Sequence, residues 1–341
     1  MYNQEAVVHV WSNHPVYKVL KTGHFGHCSI LIQGVGVRNG SSYISWWPND
    51  GAGKGNKKRV QQGLAEDSLY GDCYSELSDR AREGLEAGNF AARGNQRRMT
   101  NPIAYLPENE EDDEDDYREW VAMPESTVYI PGLGATTAGI YFGLLAGEMI
   151  DWYQGFQRTN RYTLVSPTNS CAGAATGALL AGGAAGFADA LKGNIYLLPN
   201  EVRNWAIRVR DELLWLNGRM AVILPEADAA NAAGRLGATP NGSTVQNGLW
   251  TYAAWESASW VKIGLRSGEV GKIDKALKQY HSLDWASQRV EQYVELARIA
   301  RGIAHHLVET PNSNRKPAML RLALQVNGVL QELKQELAAM A

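Results

Sequence analysis

This sequence of 341 residues has little cysteine, no signal-peptide pattern and no large excess of either charge. Its three cysteines are too few for the disulfide scaffold of a small secreted protein. The net charge of −3 excludes the overall basic field that attracts nucleic acid. The N-terminus has no basic segment followed by a long apolar run, so we expect synthesis in the cytoplasm without a signal peptide. Export would then need a signal-independent secretion machine.

Motifs for cofactors and metals are also missing from the sequence. The chain has no nucleotide-binding loop, no zinc-ligand spacing and no internal repeat. We therefore expect no cofactor, no metal and no nucleic-acid partner. Hydrophobic residues make up 45% and charged residues 20% of the chain, which excludes a wholly disordered chain, a coiled coil and a collagen.

The N-terminal part has the pattern of an antiparallel β-meander. Residues 6–12 and 28–35 are apolar and β-branched, which predicts two strands. An Asn-Gly pair at 39–40 predicts a hairpin turn into a third strand at 43–47. A further strand is predicted at 127–130.

An acidic run separates the meander from this further strand. Residues 75–92 have the composition of a helix, and residues 108–116 then carry eight carboxylates in nine positions. Such a block is typical of a solvated linker. A calcium site is one functional alternative, but it needs spaced ligands and a glycine turn, which this run lacks. Mimicry of nucleic acid is the other.

Two uncharged segments rich in small residues follow, at 132–147 and 162–188. Small residues spaced by four share one helix face and allow another backbone to approach closely. One interpretation is a pair of buried helices packed tightly on a sheet. The alternative is a membrane-penetrating hairpin built from 132–147 and 171–188, because such stretches approach the length that spans a bilayer.

The remainder of the chain reads as a mainly helical module. We predict two domains, a catalytic domain at 1–190 that contains the acidic linker and a helical module at 191–341. Proline and glycine positions set the limits of the predicted helices. Helices are predicted at 200–217, 251–265, 270–281, 284–308 and 316–340, and 218–250 is predicted to be rich in loops.

Cys171 is the candidate nucleophile. Asn169 and Ser170, which precede it, are residue types that cap helices, so Cys171 is expected in the first helical turn. The free N–H groups there favour a thiolate and can stabilise an oxyanion during acyl transfer. The alternative is an inert buried cysteine, the commoner fate of a free thiol. Cys28 and Cys73 lack this capping context and are weaker candidates.

His27 is the candidate base, because it opens a predicted strand and can be held rigidly there. Strand alternation places His27 and Ser29 on one face and Cys28 on the other. The alternative is a half-buried histidine with a structural role. A third polar residue should orient the imidazole. On the neighbouring strand, Tyr43 and Ser45 share a face and are the candidates.

These parts, in this order, resemble the circularly permuted papain-like group of the NlpC/P60 superfamily, which includes the lecithin:retinol acyltransferase type. The segments concerned are Gly-His-Cys-Ser at 26–29, Tyr-Ile-Ser-Trp-Trp-Pro at 43–48 and Asn-Ser-Cys at 169–171. The first two of these segments are also similar to segments of bacterial toxins delivered by type VI secretion. The resemblance implies an α+β fold with a permuted papain-like core, in which an antiparallel sheet packs on the nucleophile-bearing helix.

The resemblance implies that Cys171 is the nucleophile and His27 the general base, with Ser45 nearest to the family's third polar residue. Ser170 and Asn169 would cap the helix and shape the oxyanion site. Members of the group cleave peptidoglycan amides, or transfer and hydrolyse lipid acyl groups, through a thioester. The uncharged helices and 11 tryptophans favour a lipid substrate.

We therefore expect an antibacterial hydrolase that is secreted into the envelope of a target cell. It would cleave phospholipid acyl esters, touch the membrane peripherally, and have a secretion-machine component and an immunity protein as partners. A peptidoglycan amidase with the same dyad is the first alternative. A membrane-inserting toxin and a non-catalytic binding protein are alternatives from other classes.

Overall fold

The computed structural model describes residues 4–11, 27–34, 41–46, 126–133, 141–160, 166–191, 197–236, 244–259 and 268–340. Several predicted features lie outside these residues, namely the helix at 75–92, the acidic linker at 108–116 and Cys73. Within the described residues the fold is α+β, with an antiparallel sheet and a larger number of helices, as the sequence predicts.

The sheet confirms the predicted meander and the predicted fourth strand. Its strand order is β3-β2-β1-β4, and every neighbouring pair is antiparallel. β4 therefore pairs with β1 on the side away from β2. The strands are β1 (Gln4–Trp11), β2 (His27–Gly34), β3 (Ser41–Ser45) and β4 (Ser126–Pro131).

Alternation along the strands gives the sheet one strongly apolar face. Successive side chains of a strand point to opposite faces, so every second residue belongs to the core. The members of this face are buried apolar residues from all four strands and form part of the core cluster. They include Val8, Val10, Cys28, Ile30, Ile32, Ile44, Val128 and Ile130.

In the first uncharged segment, the described residues 132–133 and 141–145 are not helical, so the interpretation of 132–147 as one buried helix is wrong. Gly132 forms a parallel bridge with Leu144, and the helix α1 (Ala146–Thr159) begins only afterwards. Close approach of two backbones explains the difference. A Cβ added at Gly143 would lie 2.4 Å from the carbonyl carbon of Gly132, so the small residues serve an extended chain crossing here.

The second uncharged segment does form a buried helix, α2 (Cys171–Ala181), as one of the two interpretations predicts. It contacts β2, β3 and α1. A Cβ added at Gly177 would lie 2.2 Å from Cζ2 of Trp152, which shows how closely α1 and α2 pack. Eleven residues rise only about 17 Å, little more than half of a bilayer core. In the described ranges, no helix has both the length and the apolarity needed to cross a membrane.

The helix α3 (Pro199–Ala232) is longer than the sequence predicts. We expected a helix at 200–217 and loops from 218, but the helix continues through Gly218 and Pro225. The buried positions recur with helical spacing beyond 217, at Met220, Ile223, Leu224 and Ala227. Packing of this apolar stripe against neighbouring elements outweighs the local preference of glycine and proline for turns.

One side chain of α3 holds the segment that leads into α1. Oδ1 of the buried Asn217 accepts hydrogen bonds from the backbone N–H groups of Tyr141, at 2.8 Å, and Phe142, at 2.9 Å. Its Nδ2 donates to the carbonyl oxygen of Phe142 at 2.8 Å. A single side-chain amide therefore satisfies three backbone groups, two of them buried, at positions that belong to neither a strand nor a helix.

The C-terminal part is helical, as predicted. An Asn-Gly pair forms the turn of a short hairpin, in which Asn247 and Gly248 have φ of 50° and 78°. This is the backbone conformation that an Asn-Gly hairpin turn adopts. The elements are β5 (Val245–Gln246), β6 (Leu249–Trp250), α4 (Tyr252–Ser259), α5 (Glu269–Ser282), α6 (Arg289–Glu309) and α7 (Lys316–Met340).

The sheet and the C-terminal helices share one apolar core. α3 contacts β1 and β4 on one side and α6 and α7 on the other. A single cluster of buried side chains runs from β1 to α7. The predicted division into 1–190 and 191–341 stays a prediction. α3 lies beyond residue 190 and packs on the sheet, so the proposed boundary does not separate two cores.

Candidate nucleophile site

The first turn of α2 is built by a chain of serine hydrogen bonds. Oγ of Ser166 accepts from the backbone N–H of Asn169 at 3.0 Å. Ser170 is the N-cap: its Oγ donates to the Ser166 carbonyl at 3.0 Å and accepts from the Gly173 N–H at 3.1 Å. Cys171 is therefore the first residue of the helix, as its sequence context predicts. The N–H groups of this turn have no acceptor within the helix.

Trp46, directly after β3, ties this turn to the sheet. Its Nε1 donates to the carbonyl oxygen of Asn169 at 3.0 Å. The indole ring is fully buried and meets the ring of Phe156 on α1 edge to face, with centroids 4.9 Å apart. The start of α2 is therefore held by the end of one strand and by α1. The role of Trp46 could not be predicted from the sequence, because no neighbouring residue indicates that its hydrogen-bond acceptor is Asn169.

Gly173 lets the preceding turn fold against the helix. A Cβ added at this position would lie 2.4 Å from the carbonyl of Thr168. A side chain here would push the turn away from α2. The small residue thus allows the Ser170 cap to close, and it fixes the position of Cys171 two residues earlier.

Cys28 lies against Cys171. Neither cysteine forms a disulfide, and both are buried, with 1% and 6% of their surface exposed. Their side chains are joined by a hydrogen bond. Burial raises the pKa of Cys28 well above its ordinary value, and the hydrogen bond with Cys171 and the charge of ionised Cys171 raise it further. Cys28 therefore keeps its proton at neutral pH and donates it to the sulfur of Cys171.

Strand alternation alone assigns Cys28 to the face of β2 on which this contact forms. It separates Cys28 from His27 and Ser29 and places it with Ile30 and Ile32. Those two residues belong to the core face, which packs on α2. We ranked Cys28 as a weaker nucleophile candidate than Cys171, and that ranking stays a prediction. Its position beside Cys171 was not predicted.

The proposed partners of Cys171 are only partly described. His27 is the first residue of β2 and pairs with Trp11 in register, but its side chain lies outside the described part of the structure. Ser45 is buried and pairs with Ser29, on the face of the sheet away from α2. Its carbonyl oxygen accepts from the hydroxyl of Tyr153 at 2.7 Å. A role of Ser45 at Cys171 would have to act through another residue.

The face away from α2 carries an unpredicted row of polar side chains, of which three are buried and the one on β4 is half-buried. In register across the sheet these are Ser45, Ser29, His9 and Thr127. The hydroxyl of Tyr43 donates to Ser29 Oγ at 2.7 Å. His9 Nδ1 lies 3.2 Å from Thr127 Oγ1, whereas its Nε2 has no hydrogen-bond partner among the described residues.

Burial of His9 predicts a loss of stability in acid. Desolvation lowers the pKa of His9 to about 4, below its ordinary value of about 6.5, so the folded protein favours the neutral ring. The unfolded chain binds this proton more readily. The free energy of unfolding should therefore be unaffected by His9 above pH ~6.5 and fall by about 3 kcal/mol as the pH drops to ~4.

Urea unfolding at a series of pH values measures this effect. His9→Gln keeps a hydrogen-bonding side chain without a titratable ring, so the variant should lose much of the slope between pH 6.5 and 4. An unchanged slope in the variant would assign the acid sensitivity to other groups.

A large groove lies elsewhere on the molecule. It has a volume of about 1310 Å³ and is lined by residues of α1, α2, α5 and α6. Gly177 and Leu180 of α2 line it together with charged side chains such as Lys275 and Arg298. Neither Cys171 nor Cys28 belongs to its lining. Among the described residues, we find no cluster of histidine, cysteine and carboxylate side chains that could hold a metal ion.

Comparison with protein families matches residues 1–228 to the IcsB middle domain. The match covers the sheet, α1, α2 and most of α3, and therefore includes Cys28, Cys171 and the polar row. Comparisons with curated proteins and with solved structures gave no match.

Proposed function

The chain belongs to the IcsB middle domain family, and from this premise we propose that it is a cysteine-dependent acyl hydrolase of phospholipid esters. The observation that carries the proposal is the site of Cys171. This thiol begins a buried helix whose first turn is capped by Ser170, and it accepts a hydrogen bond from a second, protonated thiol. Both features favour the ionised form of a cysteine, which is its nucleophilic form.

The chemistry follows the usual course of thiol acyl transfer. The sulfur of Cys171 attacks the ester carbonyl, and the carbonyl oxygen takes up the negative charge beside the first-turn N–H groups of α2. The carbon–oxygen bond then breaks, and the alcohol leaves with a proton from the base. Water, deprotonated by the same base, attacks the thioester and releases the fatty acid together with the free thiol.

His27 is the proposed base, within a permuted papain-like core formed by the sheet and α2. Its support is positional: His27 begins β2, and the next residue, Cys28, touches Cys171. The order of a histidine strand followed by a cysteine helix also fits this core. Strand alternation is the argument against it, because it assigns the His27 position to the face away from α2. Ser45 is the proposed third residue and shares that face.

The family also supports a secreted effector, because IcsB is a secreted bacterial effector. On that basis we propose export into target cells, with a secretion-machine component and an immunity protein as partners. Action in the cell envelope and peripheral contact with the membrane belong to the same proposal. Hydrolysis of peptidoglycan amides by the same site is its nearest competitor.

Product analysis tests the proposal directly. The purified chain is incubated with phospholipid vesicles and, separately, with peptidoglycan sacculi, and the products are identified by mass spectrometry. We expect free fatty acid and lysophospholipid from the vesicles, and neither product with Cys171→Ala. New muropeptides with intact lipid would favour the amidase. Dye release from vesicles by Cys171→Ala would support a membrane-inserting toxin and contradict the hydrolase.

A further inference from the structure

We infer that Cys28 and Cys171 form a reversible disulfide that closes the nucleophile, so that the site works only in a reducing environment. The inference rests on the proposed function for its effect on turnover. The formation of the bond itself depends only on the two thiols.

The two side chains are already placed for bonding. Cys28 projects from the core face of β2, and Cys171 begins the helix that packs on that face. Their sulfurs are hydrogen-bonded to each other and carry no disulfide. A disulfide brings the sulfurs to about 2.05 Å, so the two side chains must move closer together than hydrogen-bond distance for the bond to form.

The surroundings hold the pair in place on both sides. Cys28 is paired with Val10 of β1 within a continuous ladder. The helix start is fixed by the Ser170 cap and by the hydrogen bond from Trp46 to Asn169. Neither partner can move far away, so each thiol is the nearest reactant that the other can meet.

The two thiols differ in protonation and exposure, and this difference determines which sulfur is oxidised first. Burial and the neighbouring sulfur keep Cys28 protonated, whereas Cys171 begins a helix and has the greater exposure. A peroxide is small enough to reach a site this buried. The Cys171 sulfur attacks its O–O bond and becomes a sulfenic acid, with release of water. The sulfur of Cys28 then attacks that sulfenic sulfur, and a second water leaves as the S–S bond forms.

In this reaction two thiols lose two hydrogen atoms and one peroxide becomes two waters. The reverse reaction needs two equivalents of a thiol or one of a dithiol, which the reducing cytosol supplies. The bond would therefore form outside cells and stay closed in the oxidising periplasm, and it would open at the cytoplasmic side of the envelope, where the site would then act. Cys28 also protects the nucleophile, because a sulfenic acid that is captured as a disulfide does not proceed to the irreversible sulfinic acid.

The test treats the reduced full chain with hydrogen peroxide and follows two readouts. Mass spectrometry of unreduced digests should show the peptides of Cys28 and Cys171 linked, and the intact chain should lose two hydrogen atoms. Turnover and iodoacetamide labelling of Cys171 should be lost together and return with dithiothreitol. Cys73→Ser is the control, because it removes the third thiol and should leave both results unchanged.

Cys28→Ala separates the switch from simple damage. In this variant, peroxide should convert Cys171 to the sulfinic acid, and dithiothreitol should not restore turnover. Absence of the linked peptides while Cys171 becomes oxidised in the wild-type chain would overturn the inference. A linked pair in a chain that hydrolyses no substrate even when reduced would support the disulfide and overturn the proposed function.

Discussion

Cys171→Ala should lower turnover by a factor of roughly 10³ or more, since a nucleophile and its base act as a unit and removal of either loses most of the chemistry. Cys28→Ala is the matched control, because it removes a second buried thiol from the same contact. That variant loses one hydrogen bond to the ionised nucleophile, worth about 1.5–3 kcal/mol, so turnover should fall by roughly tenfold to a hundredfold, less than in Cys171→Ala. Initial rates on the identified substrate, with circular dichroism to confirm folding, measure both effects.

Reactivity of the thiol gives the same prediction a second readout. Iodoacetamide should label Cys171 faster than Cys28 or Cys73 near neutral pH, and His27→Ala should slow the labelling of Cys171. The labelled residue is identified by peptide mass. Full turnover in Cys171→Ala would refute the nucleophile, whereas unchanged labelling and turnover in His27→Ala would refute only the base. In the second case, the strand alternation that places His27 away from α2 would be the reason.

Asn217→Leu should destabilise the fold by about 3–5 kcal/mol. The substitution keeps the branched shape of the side chain but leaves two N–H groups and one carbonyl of Tyr141 and Phe142 without partners. Each unsatisfied buried backbone group costs about 1–3 kcal/mol. The free energy of unfolding in urea, by circular dichroism and tryptophan fluorescence together, measures the loss.

Two control variants separate this effect from a general sensitivity of α3. Asn217→Asp keeps the acceptor for both N–H groups but places a carboxylate against the Phe142 carbonyl, so its cost should shrink at low pH, where the protonated carboxyl can donate to that carbonyl. Leu214→Ala, one turn earlier on an exposed position, should cost less than about 1 kcal/mol. A loss in Asn217→Leu no greater than that in Leu214→Ala would contradict the assigned role of Asn217.

The elements that could be predicted are those that local pattern determines. β-Branched alternation gave the four strands of the sheet, and serine capping placed Cys171 in the first turn of α2. The length of α3 could not be predicted in the same way. Gly218 and Pro225 favour a turn locally, and only contacts with distant elements keep the helix continuous through them.

The candidate site also has one part that the local sequence predicts and another that depends on long-range contacts. Its helix start depends on neighbours in the sequence, so the sequence was sufficient to predict it. The contacts of Trp46 with Asn169 and of Cys28 with Cys171 join residues more than 120 positions apart. Alternation assigned Cys28 to one face of its strand, but which helix covers that face is a property of the tertiary fold. A single sequence contains no local indication of it.

The continuity of α3 affects how the protein unfolds. Its 34 residues bury Val202, Trp205 and Val209, and the helix contacts both the sheet and the C-terminal helices. Neither half can open without exposing that shared surface to water, so the two lose their structure as one cooperative unit. Proteolytic nicking within α3 should therefore unfold both parts, and neither part should fold on its own.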